Sequence, residues 1–144
     1  MQSAPILVVD DDDDVRTMLC IVLSAEGYAA VGAADGVEAL ERMRRDGPPP
    51  LVFVDLMMPR MNGEDLIRFM RQDPSLARVP IVIMSGQPSI RTSAPAHDVR
   101  ARLLKPLELE DVLAVAQEYA HAPSDRVPPA GDVTRRSPMT GPGR

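Results

Sequence analysis

Residues 6–23 read ILVVDDDDDVRTMLCIVL, and this stretch decides the fold. Its first four residues, Ile6–Val9, form an unbroken aliphatic run, which is typical of a strand buried on both faces of a parallel sheet. The chain then turns acidic over residues 10–14 before a second pattern begins. Apolar residues at positions 15, 18, 19, 22 and 23 line one face of a helix, which Gly27 ends. The stretch therefore predicts a strand followed directly by a helix.

The alternation of strand and helix continues along the chain. Further aliphatic runs occupy residues 28–33, 51–54 and 81–84, with a weaker run at 103–104. Helical apolar patterns occupy residues 37–43, 66–70 (with Leu66, Ile67, Phe69 and Met70 as its apolar positions) and 109–120. Residues 86–101 contain Pro88 and Pro95 and have weak periodicity, so a fourth helix there would be short or irregular. The repeated order predicts an α/β fold, a doubly wound parallel sheet with right-handed crossovers.

Composition and charge exclude several classes of protein. The 144 residues include 16 basic and 21 acidic ones, a net charge of −5, which argues against a general nucleic-acid or membrane-surface binder. Aromatic residues are 3% of the chain, too few for a base-stacking surface. No apolar run approaches the roughly 18 residues that a membrane span needs. The single cysteine, Cys20, cannot form an intramolecular disulfide, and we expect a cytoplasmic protein.

The C-terminal residues differ in composition from the rest. Residues 122–144 hold five prolines and three glycines and almost no large apolar side chain. Such a segment buries too little surface to offset its ordering entropy, so we predict a disordered tail. The predicted folded domain is then residues 1–121.

Polar residues collect where the predicted strands end. Asp10 and Asp11 follow the first strand, Asp55 the third, Ser85 the fourth and Lys105, the one lysine in the chain, the fifth. Carboxyl ends of parallel strands share one edge of the sheet, where such folds place their sites. Clustered carboxylates repel unless a cation intervenes, and oxygen ligands without His or Cys suit Mg²⁺. A carboxylate, a hydroxyl, an ammonium group and Mg²⁺ together fit phosphoryl transfer to an Asp nucleophile.

Asp12, Asp13 and Asp14 have a simpler interpretation. They directly precede the first helix, where acidic side chains cap free N–H groups and oppose the helix dipole. We predict a structural role for these three residues.

Four blocks of sequence together resemble the receiver domain of two-component response regulators. They are ILVVDDDDDVR, LVFVDLMMPRMNG, IVIMSG and LLKPL, in family order and spacing over residues 4–120. The resemblance implies a flavodoxin-like fold, a five-stranded parallel sheet of order 2-1-3-4-5 with five helices. It also implies a signalling switch, not an enzyme, of the stand-alone single-domain type.

The resemblance assigns roles to the residues at the strand ends. Asp55 would be the phosphoacceptor, Ser85 would hydrogen-bond the phosphoryl group, and Lys105 would pair with it. Asp11, Asp55 and the backbone carbonyl of Met57 would bind Mg²⁺ directly, and Asp10 mainly through a metal-bound water. The Lys105–Pro106 peptide bond would be cis. Two further positions of the family, Pro59 and Gly63, would shape the loop after Asp55.

The implied partners are proteins. Phosphoryl groups would come from a sensor histidine kinase or a histidine phosphotransfer protein, and output would go through a downstream protein target. We expect no direct contact with nucleic acid or membrane, and homodimerisation stays open. Two alternative functions are a receiver-like interaction module insensitive to phosphorylation and a haloacid-dehalogenase-type phosphatase. The second alternative calls for an Asp two residues after the nucleophile, where this chain has Met57.

The chain departs from the family pattern in one region. The family often has an aromatic residue three positions before the lysine, and here that position is Arg102. Together with the prolines of residues 86–101, this predicts an unusual output surface with phosphorylation retained. Met57 and Gln87 occupy the positions that tune loss of phosphate in the family. Because a Met57 side chain cannot orient a water molecule, we predict slower hydrolysis than with Asn at this position.

Overall fold

The computed structural model describes residues 4–58, 60–86 and 99–120. This part of the chain contains five strands and four helices. They are β1 (Ile6–Val9), α1 (Asp13–Ala25), β2 (Ala30–Ala33), α2 (Gly36–Asp46), β3 (Val52–Asp55), α3 (Gly63–Gln72), β4 (Ile81–Ser85), β5 (Ala101–Leu104) and α4 (Leu109–Tyr119). Strands and helices alternate as far as β4, and β5 and α4 complete the described elements. The predicted fourth helix falls on residues 86–101, of which 87–98 lie outside the described residues.

All five strands are parallel and form one sheet of order β2-β1-β3-β4-β5. The predicted strand order is therefore confirmed. The register aligns Val9 of β1 with Ala33 of β2 and Val54 of β3, so these three strands end at nearly the same level. The residues that follow the strands consequently meet at one edge of the sheet.

Helices cover both faces of the sheet. Alternate side chains of each central strand point to opposite sides, as the pleat requires. Ile6 and Val8 pack with Phe53 toward α1 and α4, whereas Leu7 and Val9 pack toward α2 and α3. Phe53 is fully buried, and complete burial of such a side chain contributes about 1.5–3 kcal/mol.

The aliphatic runs predicted strands that are buried on both faces. The two edge strands, β2 and β5, are less buried than that. In β5, Ala101 and Leu103 are half-buried while Arg102 and Leu104 are exposed. Strand β2 starts at Ala30, two residues later than the predicted start at Tyr28, whose side chain is buried beside the sheet. An edge strand has a neighbour on one side only, which explains its weaker burial.

One residue of the apolar pattern of α3 lies outside the core. Leu66, Ile67 and Met70 are fully buried, but Phe69 is 50% exposed. At 100° per residue, position 69 lies beside the stripe that the other three residues form, not within it. Phe69 is thus a boundary residue of α3.

The acidic run caps the first helix, as predicted. The Asp12 carboxylate accepts hydrogen bonds from the backbone N–H groups of Asp14 and Val15, and Asp12 is the N-cap of α1. Asp13 forms an ion pair with Arg16 one turn further along the helix. Gly27, after the helix, has φ +94°, a conformation that glycine adopts without strain.

None of the helices in the described ranges has the length and apolar character to cross a membrane. His97, His121 and the predicted tail, residues 122–144, lie outside those ranges.

Candidate functional site

The end of β1 and the end of β3 bring three carboxylates together. Oxygens of Asp10, Asp11 and Asp55 all lie within 4.8 Å of one another. Asp10 directly follows β1, and Asp55 is the last residue of β3, the strand that pairs with β1. Asp10 and Asp55 are buried, whereas Asp11 is exposed. The cluster therefore has one face open to solvent.

Asp10 is held on both of its carboxylate oxygens. Its Oδ1 accepts a hydrogen bond from the backbone N–H of Asp12 at 2.9 Å. Its Oδ2 accepts one from Nζ of Lys105, also at 2.9 Å. Protein groups thus contact both carboxylate oxygens of Asp10.

Lys105, which directly follows the edge strand β5, brings a positive charge to the cluster. Its Nζ lies 2.9 Å from Oδ2 of Asp10 and 3.5 Å from Oδ2 of Asp55. Burial works to lower the pKa of Lys105, but its hydrogen bond with Asp10 and the charges of Asp10 and Asp55 outweigh that effect and raise the pKa. The ammonium group is therefore held in its charged form between two carboxylates.

One ammonium group does not balance the negative charge around Asp55. Burial, the charge of Asp10 and, to a smaller extent, that of Asp11 raise the pKa of Asp55 to about 6. A hydrogen bond from the backbone N–H of Met57 and the charge of Lys105 act in the opposite direction without reversing the shift. The pocket is thus short of positive charge when Asp55 is ionised.

Ser85 ends β4, next to β3 in the sheet, and is buried. The backbone N–H of Lys105 donates to the Ser85 carbonyl at 2.7 Å, which fixes the two strand ends to each other. The Lys105–Pro106 peptide bond is cis, as the resemblance implied. Ser85 and Lys105 therefore reach the same edge of the sheet as the carboxylates.

The β3–α3 loop (residues 56–58 and 60–62) starts at Asp55 and is tightly packed where it meets α3. The Met57 N–H donates to Oδ1 of Asp55 at 3.2 Å, while Met57 itself is 64% exposed. A Cβ on Gly63 would lie 2.6 Å from the Asp55 carbonyl oxygen. Glycine is thus required here by a close approach of two backbone segments. Pro59 lies outside the described residues.

Two features beside the site were missed from the sequence. Nη1 of Arg16 donates to the Asp10 carbonyl at 2.7 Å and so holds the turn after β1. Asp35, at the start of α2, forms an ion pair with Arg60 of the β3–α3 loop. The spacing of Asp35 and Glu38 is a capping-box signal that could have located the helix start, but no sequence pattern points to a partner 25 positions away.

Other candidate residues lie away from the cluster. Cys20 is half-buried on α1 and packs against the core, and burial raises the pKa of its thiol, so it is not an activated nucleophile. Arg102 is exposed on β5. The described cluster consists of hard oxygen donors, among them a buried carboxylate, and a fixed ammonium group, which is a set suited to phosphoryl transfer.

Known proteins share this architecture and these sequence blocks. The response regulator MprA of Mycobacterium leprae is 41% identical over 111 residues, which are 76% of this chain and 47% of MprA. The sensor histidine kinase TmoS of Ectopseudomonas mendocina is 35% identical over 111 residues, 76% of this chain and 11% of TmoS. This chain thus spans about half of one relative and a small part of the other.

Solved structures give the same answer for the fold. The crystal structure of a response regulator receiver protein from Pseudomonas putida superposes with a TM-score of 0.71 at 31% identity, covering 82% of this chain and 98% of that one. The family model of the response regulator receiver domain matches residues 6–117, from the first strand into the last helix. The chain therefore belongs to the response regulator receiver domain family.

Proposed function

We propose that the chain is a phosphorylatable signalling switch in which Asp55 accepts the phosphoryl group. One observation carries the proposal: the Asp55 carboxylate is buried at a strand end among two further carboxylates and the ammonium group of Lys105. The arrangement concentrates negative charge and places a nucleophile beside it. Its chemistry is completed by a cation and a phosphoryl donor.

Mg²⁺ fits the donor set of this cluster. The three carboxylates offer hard oxygen ligands within 4.8 Å of one another, and no His or Cys belongs to the group. As the family resemblance implies, Asp11, Asp55 and the Met57 backbone carbonyl would hold the ion directly, and Asp10 would act mainly through a metal-bound water. The ion supplies positive charge that offsets the carboxylates and the oxygens of an incoming phosphoryl group.

The transfer itself needs one bond made and one broken. A carboxylate oxygen of Asp55 attacks the phosphorus atom of a phosphohistidine, the bond from phosphorus to the imidazole nitrogen breaks, and that nitrogen leaves with the electron pair. The product is an acyl phosphate on Asp55. Lys105, 3.5 Å from Asp55, would then exchange part of its contact with the carboxylates for the phosphoryl oxygens, and the Ser85 hydroxyl would donate to one of them.

Receiver domains act with protein partners, and this fits the acidic surface of the chain. A sensor histidine kinase or a histidine phosphotransfer protein would donate the phosphoryl group, and a downstream protein would read the change. Phosphorylation adds charge at the strand ends and biases the loops that carry Ser85 and Lys105 between two arrangements. We place this exchange in the cytoplasm and leave homodimerisation as a further form of output.

A direct test uses a small-molecule phosphoryl donor. The protein is incubated with acetyl phosphate and Mg²⁺ and its intact mass is measured, with Asp55→Asn and Asp14→Asn as matched variants. We expect one phosphoryl adduct on the wild type and on Asp14→Asn, and none on Asp55→Asn or in excess EDTA. Equal adduct on wild type and Asp55→Asn, or no adduct on either, would refute the proposal.

A further inference from the structure

The carboxylate of Asp35 joins two segments that are distant in sequence. Its Oδ1 accepts a hydrogen bond from the backbone N–H of Glu38 at 2.9 Å and so caps α2. Its Oδ2 accepts a hydrogen bond from Nε of Arg60 at 2.8 Å and lies 2.5 Å from Nη2 of the same side chain. The Asp35 side chain is 10% exposed and the Arg60 side chain is 62% exposed, so the ion pair is buried at its carboxylate end only. It ties the β3–α3 loop to the start of α2.

Arg60 adopts a backbone conformation that a free residue avoids. Its φ is +62°, and it is the one non-glycine residue with positive φ in the described ranges. Side chains other than glycine are disfavoured in this region, so surrounding contacts must hold the residue there. The ion pair with Asp35 is such a contact.

A second contact joins the same two segments. The backbone N–H of Gly36 donates to the carbonyl oxygen of Met61 at 3.3 Å. A Cβ on Gly36 would lie 2.7 Å from the Met61 side chain, so the start of α2 and the β3–α3 loop pack as closely as glycine allows. The loop is therefore fixed to α2 at two successive residues.

Both ends of the β3–α3 loop contact Asp55, the proposed phosphoacceptor. The Met57 N–H donates to the Asp55 carboxylate, and Gly63 packs against the Asp55 carbonyl. The segment from Asp55 to Gly63 is thus held at Asp55, at Arg60 and Met61, and again at Gly63. Arg60 lies in the same loop as Met57, three positions further along the chain.

We propose that the Asp35–Arg60 ion pair is a positioning device, which holds the β3–α3 loop so that the Met57 carbonyl faces the metal, and thereby sets the Mg²⁺ affinity of the site. The proposal rests on the proposed function, since it takes Met57 as a Mg²⁺ ligand. Arg60 and Asp35 are positioning residues, because neither touches the metal ligands Asp11 and Asp55. Loss of a direct hydrogen-bonding partner of a metal ligand lowers metal affinity about 10- to 100-fold, and an ion pair that acts through the loop should have an effect at or below the lower figure.

The test measures Mg²⁺ binding without phosphorylation. The dissociation constant is obtained from the rise of the thermal unfolding midpoint with Mg²⁺ concentration, and the midpoint in EDTA reports structural damage separately. Arg60→Gln and Asp35→Asn remove the ion pair, and Asn keeps the helix cap because it is as good an N-cap as Asp. Arg60→Lys keeps the charge, and Arg45→Gln removes an exposed arginine paired with Asp46 elsewhere.

We expect Arg60→Gln and Asp35→Asn each to raise the Mg²⁺ dissociation constant about tenfold, at the low end of such effects. The dissociation constant of Arg60→Lys should lie between those of these variants and that of the wild type. The dissociation constant of Arg45→Gln should equal that of the wild type. The double variant Asp35→Asn/Arg60→Gln should bind Mg²⁺ no more weakly than the weaker-binding single variant, because both changes remove the same interaction.

Two results would overturn the inference, and they are distinguishable. If the wild type binds Mg²⁺ and both single variants bind it equally well, whatever their midpoints in EDTA, the ion pair does not position the site. If the wild type itself shows no response to Mg²⁺, the metal site of the proposed function is wrong, and the inference falls with it.

Discussion

At the scale of the residue, Asp55 combines burial with the charge that its chemistry needs. Its pKa in the folded protein is about 6, above the value of about 3.9 for an unfolded chain. The folded state therefore binds the proton more tightly, and the stability that this contributes is present below the unfolded pKa and lost as pH rises through about 6. At neutral pH and without metal, the ionised carboxylate destabilises the fold.

Asp55→Asn should accordingly stabilise the metal-free protein. We expect a gain in the free energy of unfolding of about 1–2 kcal/mol at pH 7.5 in EDTA, somewhat below the full equivalent of the pKa shift at about 1.4 kcal/mol per unit. The gain should shrink to a few tenths of a kcal/mol near pH 4, where Asp55 is protonated in the folded state and about half protonated in the unfolded chain. Urea unfolding at the two pH values measures it, with the exposed Asp14→Asn as control. A gain that does not depend on pH would contradict this assignment.

Gly63 should tolerate no side chain. A Cβ would lie 2.6 Å from the Asp55 carbonyl oxygen and 2.8 Å from Cα of Leu56, both backbone atoms that cannot move independently. We expect Gly63→Ala to lower the free energy of unfolding by about 1–3 kcal/mol, as for other overpacked sites. Gly86→Ala is the matched control in urea unfolding, because a Cβ there meets no atom within 4 Å. Equal stability of the two variants would show that the loop relaxes.

At the scale of the element, the acidic run tests how one helix begins. The Asp12 side chain accepts two backbone hydrogen bonds at the start of α1, while its own N–H donates to Asp10. Asp12→Ala should therefore lower the free energy of unfolding by about 1 kcal/mol, and Asp12→Asn should leave it nearly unchanged. The variants keep the backbone N–H that holds Asp10, so Mg²⁺ binding should be the same in both. A large decrease in the free energy of unfolding of Asp12→Asn would mean that the charge of Asp12, not its capping hydrogen bonds, stabilises the start of the helix.

The elements also show what sequence patterns can and cannot predict. Unbroken aliphatic runs located β1, β3 and β4 within a residue, because central strands are buried on both faces. Edge strands carry a weaker signal, and the start of β2 and the alternating burial of β5 were not predicted. Phe69 belongs to the apolar pattern of α3 but is 50% exposed, because hydrophobicity alone does not distinguish the centre of a helix face from its boundary.

The candidate site was predictable to a different degree. Asp10, Asp11, Asp55, Ser85 and Lys105 could be grouped because each follows a parallel strand, and such strands end at one edge. Asp35 and Arg60 follow no such rule. Their contact depends on the path of a loop in three dimensions, and it becomes visible only when the positive φ of Arg60 and the position of α2 are known.

At the scale of the whole molecule, Mg²⁺ and pH should control stability together. Metal binding requires the ionised form of Asp55, which protons oppose below its pKa of about 6. We expect a saturating Mg²⁺ concentration to raise the thermal unfolding midpoint clearly at pH 7.5, much less at pH 5, and not at all in Asp55→Ala. EDTA should reverse the effect. A rise of the midpoint that is equal at both pH values would place the ion elsewhere on this acidic chain.

The most direct measurement locates the phosphoryl group itself. After phosphorylation with acetyl phosphate and Mg²⁺, borohydride reduces an acyl phosphate to an alcohol, and peptide mapping by mass spectrometry identifies the reduced residue. The account predicts a single reduced aspartate, Asp55, at the end of β3, and none without Mg²⁺. A reduced residue at Asp10, Asp11 or elsewhere, or no reduced residue at all, would contradict it.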